Sequence, residues 1–86
     1  MNTRVAVISI ILTNNTYVLE VNQILSNYSE YVIARLGLPY KQKNINIICI
    51  VLDADQNTIN TLSGRLGKID GIAVKANYVI KDENKN

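Results

Sequence analysis

The 86-residue chain carries 48% hydrophobic side chains, a net charge of +2, one cysteine and no histidine. That composition is too apolar for a disordered polymer and too weakly charged to imply a polyanionic partner. It also excludes an internal disulfide and leaves no Cys/His metal site to expect.

The length gives one small domain, residues 1–80, followed by a polar tail, KDENKN at 81–86, expected to be disordered. A domain this size buries a modest share of its surface and gains from a partner subunit. No secretory leader is expected, because Arg4 opens a short apolar run with no cleavage site behind it. Ile47 to Leu52 is apolar for six residues, too few to cross a bilayer. A cytoplasmic location follows, and one unpaired Cys suits a reducing compartment.

Arg4 to Thr13, RVAVISIILT, reads as a strand that is apolar on both faces. Val5, Val7, Ser9 and Ile11 share one face; Ala6, Ile8, Ile10 and Leu12 share the other. Such a strand belongs in the centre of a sheet. Thr13, Asn14, Asn15 and Thr16 break it, and each can accept a bond at a helix start. A helix fits Tyr17 to Asn27, with Val18, Val21, Leu25 and Tyr28 along one stripe and Asn27 as a left-handed terminator.

The second strand covers Glu30 to Leu38, closed by Gly37 and Pro39, with Tyr40 to Lys43 as the loop tip. Arg35 among apolar neighbours marks an edge or rim. The third strand, Ile45 to Leu52, is again apolar on both faces, with Cys49 among Ile45, Ile47 and Val51. Asp55 is an N-cap for a second helix reaching Leu66, with Ile59, Leu62 and Leu66 inward and Gly67 at C′. Asp70-Gly71 is a turn, and Ile72 to Ile80 a half-exposed last strand.

The order β-α-β-β-α-β is that of the ferredoxin-like α+β fold, a four-stranded antiparallel sheet with two helices on one face. Right-handed crossovers make strands one and three central neighbours, expected here to run parallel to each other. Two helices cover one face only. The other would expose a contiguous apolar patch of a kind soluble monomers rarely show. A homo-oligomer, dimer or tetramer, built on sheet faces or paired edges is therefore expected.

Cys49, between Ile48 and Ile50 with no cation nearby, reads as a buried structural thiol rather than a reactive one. Asp53, Asp55 and Asp70 fit cap and turn roles better than acid–base chemistry. If the tips after strands one and three adjoin, Thr13, Asn14, Asn15, Asp53 and Asp55 form a polar rim able to hold a small polar ligand. The simpler reading is that they only cap two helices. Arg35 is a candidate anion or partner contact; Tyr40, beside Pro39, is either a partner contact or local packing.

The lysine clusters read as solvated. The central strands carry Ile, Val, Ser and Cys where base stacking needs aromatics, so direct nucleic-acid binding is not expected. No helix-turn-helix remains once the six elements are assigned. The loop after strand one lacks the arginine and glycines of an acylphosphatase-type phosphate loop, so an enzyme is not expected.

LGLPYKQKNINIICIVLDA and LSGRLGKIDGIAVKA carry a family resemblance, together with Val21-Asn22-Gln23-Ile24-Leu25 in the first helix. From Arg4 to Ala76 the chain resembles the small bacterial family of iron-only hydrogenase system regulators. The resemblance implies an ACT-like domain, in a small stand-alone oligomeric protein with a regulatory role. Where amino-acid-binding ACT domains often place glycine, this chain has Asn14-Asn15. The histidine-containing metal site of the related nickel-responsive repressor does not carry over. The expected function is regulation through a small ligand or a protein partner, with no cofactor; an accessory assembly protein with no ligand is the alternative.

Overall fold

The computed structural model describes residues 2–13 and 15–78. The 81–86 tail, the last-strand residues Val79 and Ile80, and the rim candidate Asn14 lie outside the described residues.

Four strands and two helices follow in the expected order: β1 (Arg4–Leu12), α1 (Val18–Ser26), β2 (Val32–Tyr40), β3 (Ile45–Ala54), α2 (Gln56–Gly67) and β4 (Ile72–Tyr78). The sheet order is β2-β3-β1-β4, every neighbouring pair antiparallel, which is the ferredoxin-like arrangement. The expected parallel pairing of β1 with β3 is corrected. Residue Arg4 pairs with Ala54 and Leu12 with Asn46, so the two strands run in opposite directions. The α1 crossover returns the chain in the direction of β1, and the β2–β3 hairpin then reverses it.

Period-two alternation decides which side meets the helices. Ala6, Ile8, Ile10 and Leu12 are wholly buried, as are Ile50 and Leu52 beside them. They pack with Val21 and Leu25 of α1, Ile59, Leu62 and Leu66 of α2, and Ile69. The stripes expected on both helices are the ones that bury. Ile72, Val74 and Ala76 of β4 close the same side.

The local signals divide. Asp55 caps α2 as expected, its Oδ1 accepting from the Thr58 N–H at 2.7 Å. The start of α1 differs. A 3-10 turn, Asn15–Tyr17, leads into it, its N-cap is Tyr17, and no side chain caps it. Thr13 instead turns to β4: its N–H and hydroxyl both donate to the Gly71 carbonyl, at 2.9 and 3.1 Å. Neither expected helix terminator is left-handed. Asn27 stays right-handed at φ −69°, and Gly67 ends α2 from within, with Lys68 as C-cap. The positive φ values fall at Gly71 (74°) and at Asn44 (57°), in the tight turn between β2 and β3. Glycine and asparagine are the residues that tolerate that region.

Strand β2 starts later and runs further than expected, through Pro39 to Tyr40. Pro39 is tolerated because β2 is an edge strand. A register shift between Val32 and Ala34 leaves Ile33 unpaired, a bulge near the start of that edge.

Candidate functional site

The expected rim does not assemble. With β1 and β3 antiparallel, Thr13 and Asn15 lie at one end of the sheet, and Asp53 and Asp55 at the other. A rise of about 3.4 Å per residue along the nine residues of β1 puts roughly 27 Å between those ends. Thr13, Asn15 and Asp55 each have local work. Asn15 Oδ1 accepts from Asn46 Nδ2 of β3, and Thr13 is bound to Gly71. Asp53 sits across from Val5. The Thr58 backbone N–H, and after it the Thr58 side chain, hold the Asp55 carboxyl below its ordinary value.

Arg35 pairs in register with Ile50, so it projects on the helix side of β2, where its Nη2 donates to Asn22 Oδ1 of α1. Tyr40 pairs with Ile45 on the opposite side, and its hydroxyl donates to Gln42 Oε1 at 2.9 Å. Among the described residues, no three of His, Cys, Asp or Glu gather as metal ligands, and no helix is long and apolar enough to cross a membrane.

A feature that sequence reasoning missed is a shallow cleft of about 260 Å³ lined by Asn27, Tyr28, Tyr31, Asn57, Thr58 and Thr61. Arg65 sits on one side of it, 5.9 Å from the Tyr28 ring centre, with Nη1 donating to the Tyr28 hydroxyl at 3.3 Å. Its elements are the end of α1, the turn Ser29–Tyr31 and the first turns of α2. Tyr28 belongs to the apolar stripe expected on the first helix; its meeting with Asn57, Thr58 and Thr61 of α2 depends on how the two helices pack.

A further organised surface is the helix-free face of the sheet. Cross-strand register arranges it in rows. One row holds Asn77, Val7, Val51 and Ala34; the next holds Lys75, Ser9, Cys49 and Leu36; a third holds Ala73, Ile11, Ile47 and Leu38. Tyr40 and Ile45 extend it at the hairpin. Val5, Val7 and Ile11 are 43%, 37% and 40% exposed, and Leu36 and Leu38 are 63% and 51% exposed. Cys49 is half-buried on this face, not in the core, which corrects its expected burial: in β3 it is Ile48, Ile50 and Leu52 that point to the helices. The Ser9 hydroxyl donates to the Lys75 carbonyl at 3.4 Å, so the one hydroxyl at the centre of the face is satisfied within the chain.

Comparison with known proteins places this geometry. Among curated proteins nothing matches. The solved structure of the uncharacterized protein TM1266 from Thermotoga maritima is similar at 35% identity and a TM-score of 0.86, covering 91% of this chain and 99% of that one. A de novo designed protein, Foldit4, shares the fold alone, at 16% identity and a TM-score of 0.60, over 94% of this chain and all of its own. The family model described as "TM1266-like: Iron-only hydrogenase system regulator, putative" matches residues 4–76. The chain belongs to the TM1266-like family of iron-only hydrogenase system regulators.

Proposed function

We propose that this chain is a non-enzymatic, ACT-like regulatory module of the iron-only hydrogenase system, acting in the cytoplasm as an oligomer through a small ligand or a protein partner. One observation carries the reading: the helix-free face of the sheet is apolar on β1, β2 and β3, while α1 and α2 pack on the other face. A surface of that kind suits association. The polar residues that could have served chemistry are engaged in structure instead: Asp55 in a cap, Thr13 at Gly71, Arg35 at Asn22. Family membership supplies the regulatory context.

A second reading is an accessory assembly subunit with no ligand of its own. It is favoured by the separation of Thr13 and Asn15 from Asp53 and Asp55, which removes the ligand rim. A thermal-shift panel of amino acids, nucleotides and divalent metals separates the two, run beside a pull-down with hydrogenase and its maturation proteins. Stabilisation by one ligand class supports a ligand-responsive regulator. A silent panel with a specific hydrogenase-system partner supports a regulator or accessory subunit that works by protein contact. Silence in both overturns the hydrogenase-system reading.

A further inference from the structure

We infer that a second copy of this chain covers the helix-free face, stacked sheet on sheet, with the two-fold axis running along the strands between β1 and β3. The inference rests on the reading above only for the claim that the protein works as an assembly.

Area comes first. The exposed side chains Val5, Val7, Ile11, Leu36, Leu38 and Tyr40 lie with half-buried Ile45, Ile47, Cys49 and Val51 on one face. Together they offer roughly 600 Å² of apolar surface, the upper end for the largest patch on a typical monomer. Two such faces in contact bury roughly 1,200 Å², the threshold of a standard stable interface. Burial strands nothing polar at the centre, because Ser9 is bonded to the Lys75 carbonyl and Cys49 is a small, weakly polar thiol.

The distribution of bulk then selects the partner and the axis. The β2 side of the face is raised by Leu36, Leu38 and Tyr40; the β4 side is low, with Ala73 and Asn77 beside Lys75. A two-fold along the β1–β3 seam lays each high side over the other copy's low side. Row falls on row: Val7 meets the partner's Val51, Ile11 the partner's Ile47, and Ser9 the partner's Cys49. Leu38 rests over the partner's Ala73. Leu36 covers the stem of the partner's Lys75, whose ammonium reaches solvent at the rim. The other face-to-face symmetry, a two-fold running across the strands, fails on both counts. It sets Lys75 over Lys75 and Leu36 over Leu36, leaving like charges opposed and the β4 sides apart. Aligned stacking of twisted sheets about 10 Å apart accommodates the first arrangement.

The test uses the full chain. Light scattering after size exclusion is expected to give an even number of chains for wild type. Ile47→Lys should halve that mass while keeping the wild-type circular dichroism. Leu38→Lys, on the exposed edge strand, is the second variant should Ile47→Lys fail to fold. Leu19→Lys, on the solvent side of α1, should leave the mass unchanged. In a Cys49→Ser background, mixing Leu38→Cys with Ala73→Cys chains should give a disulfide-linked dimer on mild oxidation. Mixing Ala73→Cys with Asn77→Cys should not. A wild-type monomer at micromolar concentration overturns this interface and the assembly reading together. An oligomer that survives both lysine variants overturns the interface alone. Cross-linking through 73 and 77 in place of 38 and 73 overturns the axis.

Discussion

The two faces of this sheet are made of alternate residues on the same strands, with nearly the same hydrophobicity, and they have opposite fates. On β1, Ala6, Ile8, Ile10 and Leu12 are sealed, while Val5, Val7 and Ile11, one step away, remain open. Strand propensity does not separate the two sets. The helices do, because α1 and α2 each carry one apolar stripe and both stripes fall on the same side. The sealed face holds no polar residue in its core cluster, whereas the open face admits Ser9, Cys49, Lys75 and Asn77. A face completed within the chain excludes polar groups. The open face keeps several of them in contact with solvent.

The largest expected effect tests that division at adjacent positions. Ile48→Lys buries a charge in the core and should abolish the cooperative thermal transition seen by circular dichroism. Cys49→Lys points the other way and should leave a folded chain of reduced assembly mass. Two folded, fully assembled variants would break the comparison. A finer version is truncation. Ile8→Ala should cost about 2–5 kcal/mol in urea unfolding, as buried isoleucines do. Val7→Ala in the Ile47→Lys background should cost less than about 1 kcal/mol, since it is solvated there.

The Asp55 cap probes the helix layer that creates the difference. Asp55→Ala should lower the melting temperature by about 4–8 °C, the size of a single lost cap in a domain this small. The hydrogen bonds from Thr58 set the carboxyl's folded pKa below its unfolded one. Its stabilisation is therefore present above the unfolded value and lost as pH falls through the folded value. The gap between wild type and Asp55→Ala should accordingly close below about pH 4. The smallest effect is expected at Arg35. Arg35→Ala removes one surface bond to Asn22 on the helix side and should change stability by no more than about 0.5 kcal/mol, with no change in mass. A loss of assembly there would place the partner on the wrong side of β2.

Much of this was legible in the residues. The apolar alternation of β1 and β3, the stripes Val21-Leu25 and Ile59-Leu62-Leu66, and the Asp55 cap carry short-range signals that tertiary packing did not override. Strand direction did not come from any residue. It came from counting crossovers, and the expected parallel pairing failed there, taking the polar rim with it. Thr13 was misread for a related reason: its bond partner, Gly71, lies 58 residues away, beyond any local rule. Which apolar face stays open was ambiguous on β1 alone, where Ser9 is the sole polar residue between Val5 and Ile11. Read with Lys75 and Asn77 on the neighbouring strand, it marks the helix-free side.

The outer edge of β2 has a further consequence, for what this chain avoids. An exposed strand bearing Ile33, Leu36 and Leu38 would ordinarily invite other copies to add strand after strand into an open-ended fibre. Here the ladder is interrupted twice: by the bulge between Val32 and Ala34, and by Pro39, which has no N–H to offer a newcomer. Between the interruptions only a short regular stretch is left to template growth. The edge of this sheet therefore carries its own means of stopping growth by strand addition.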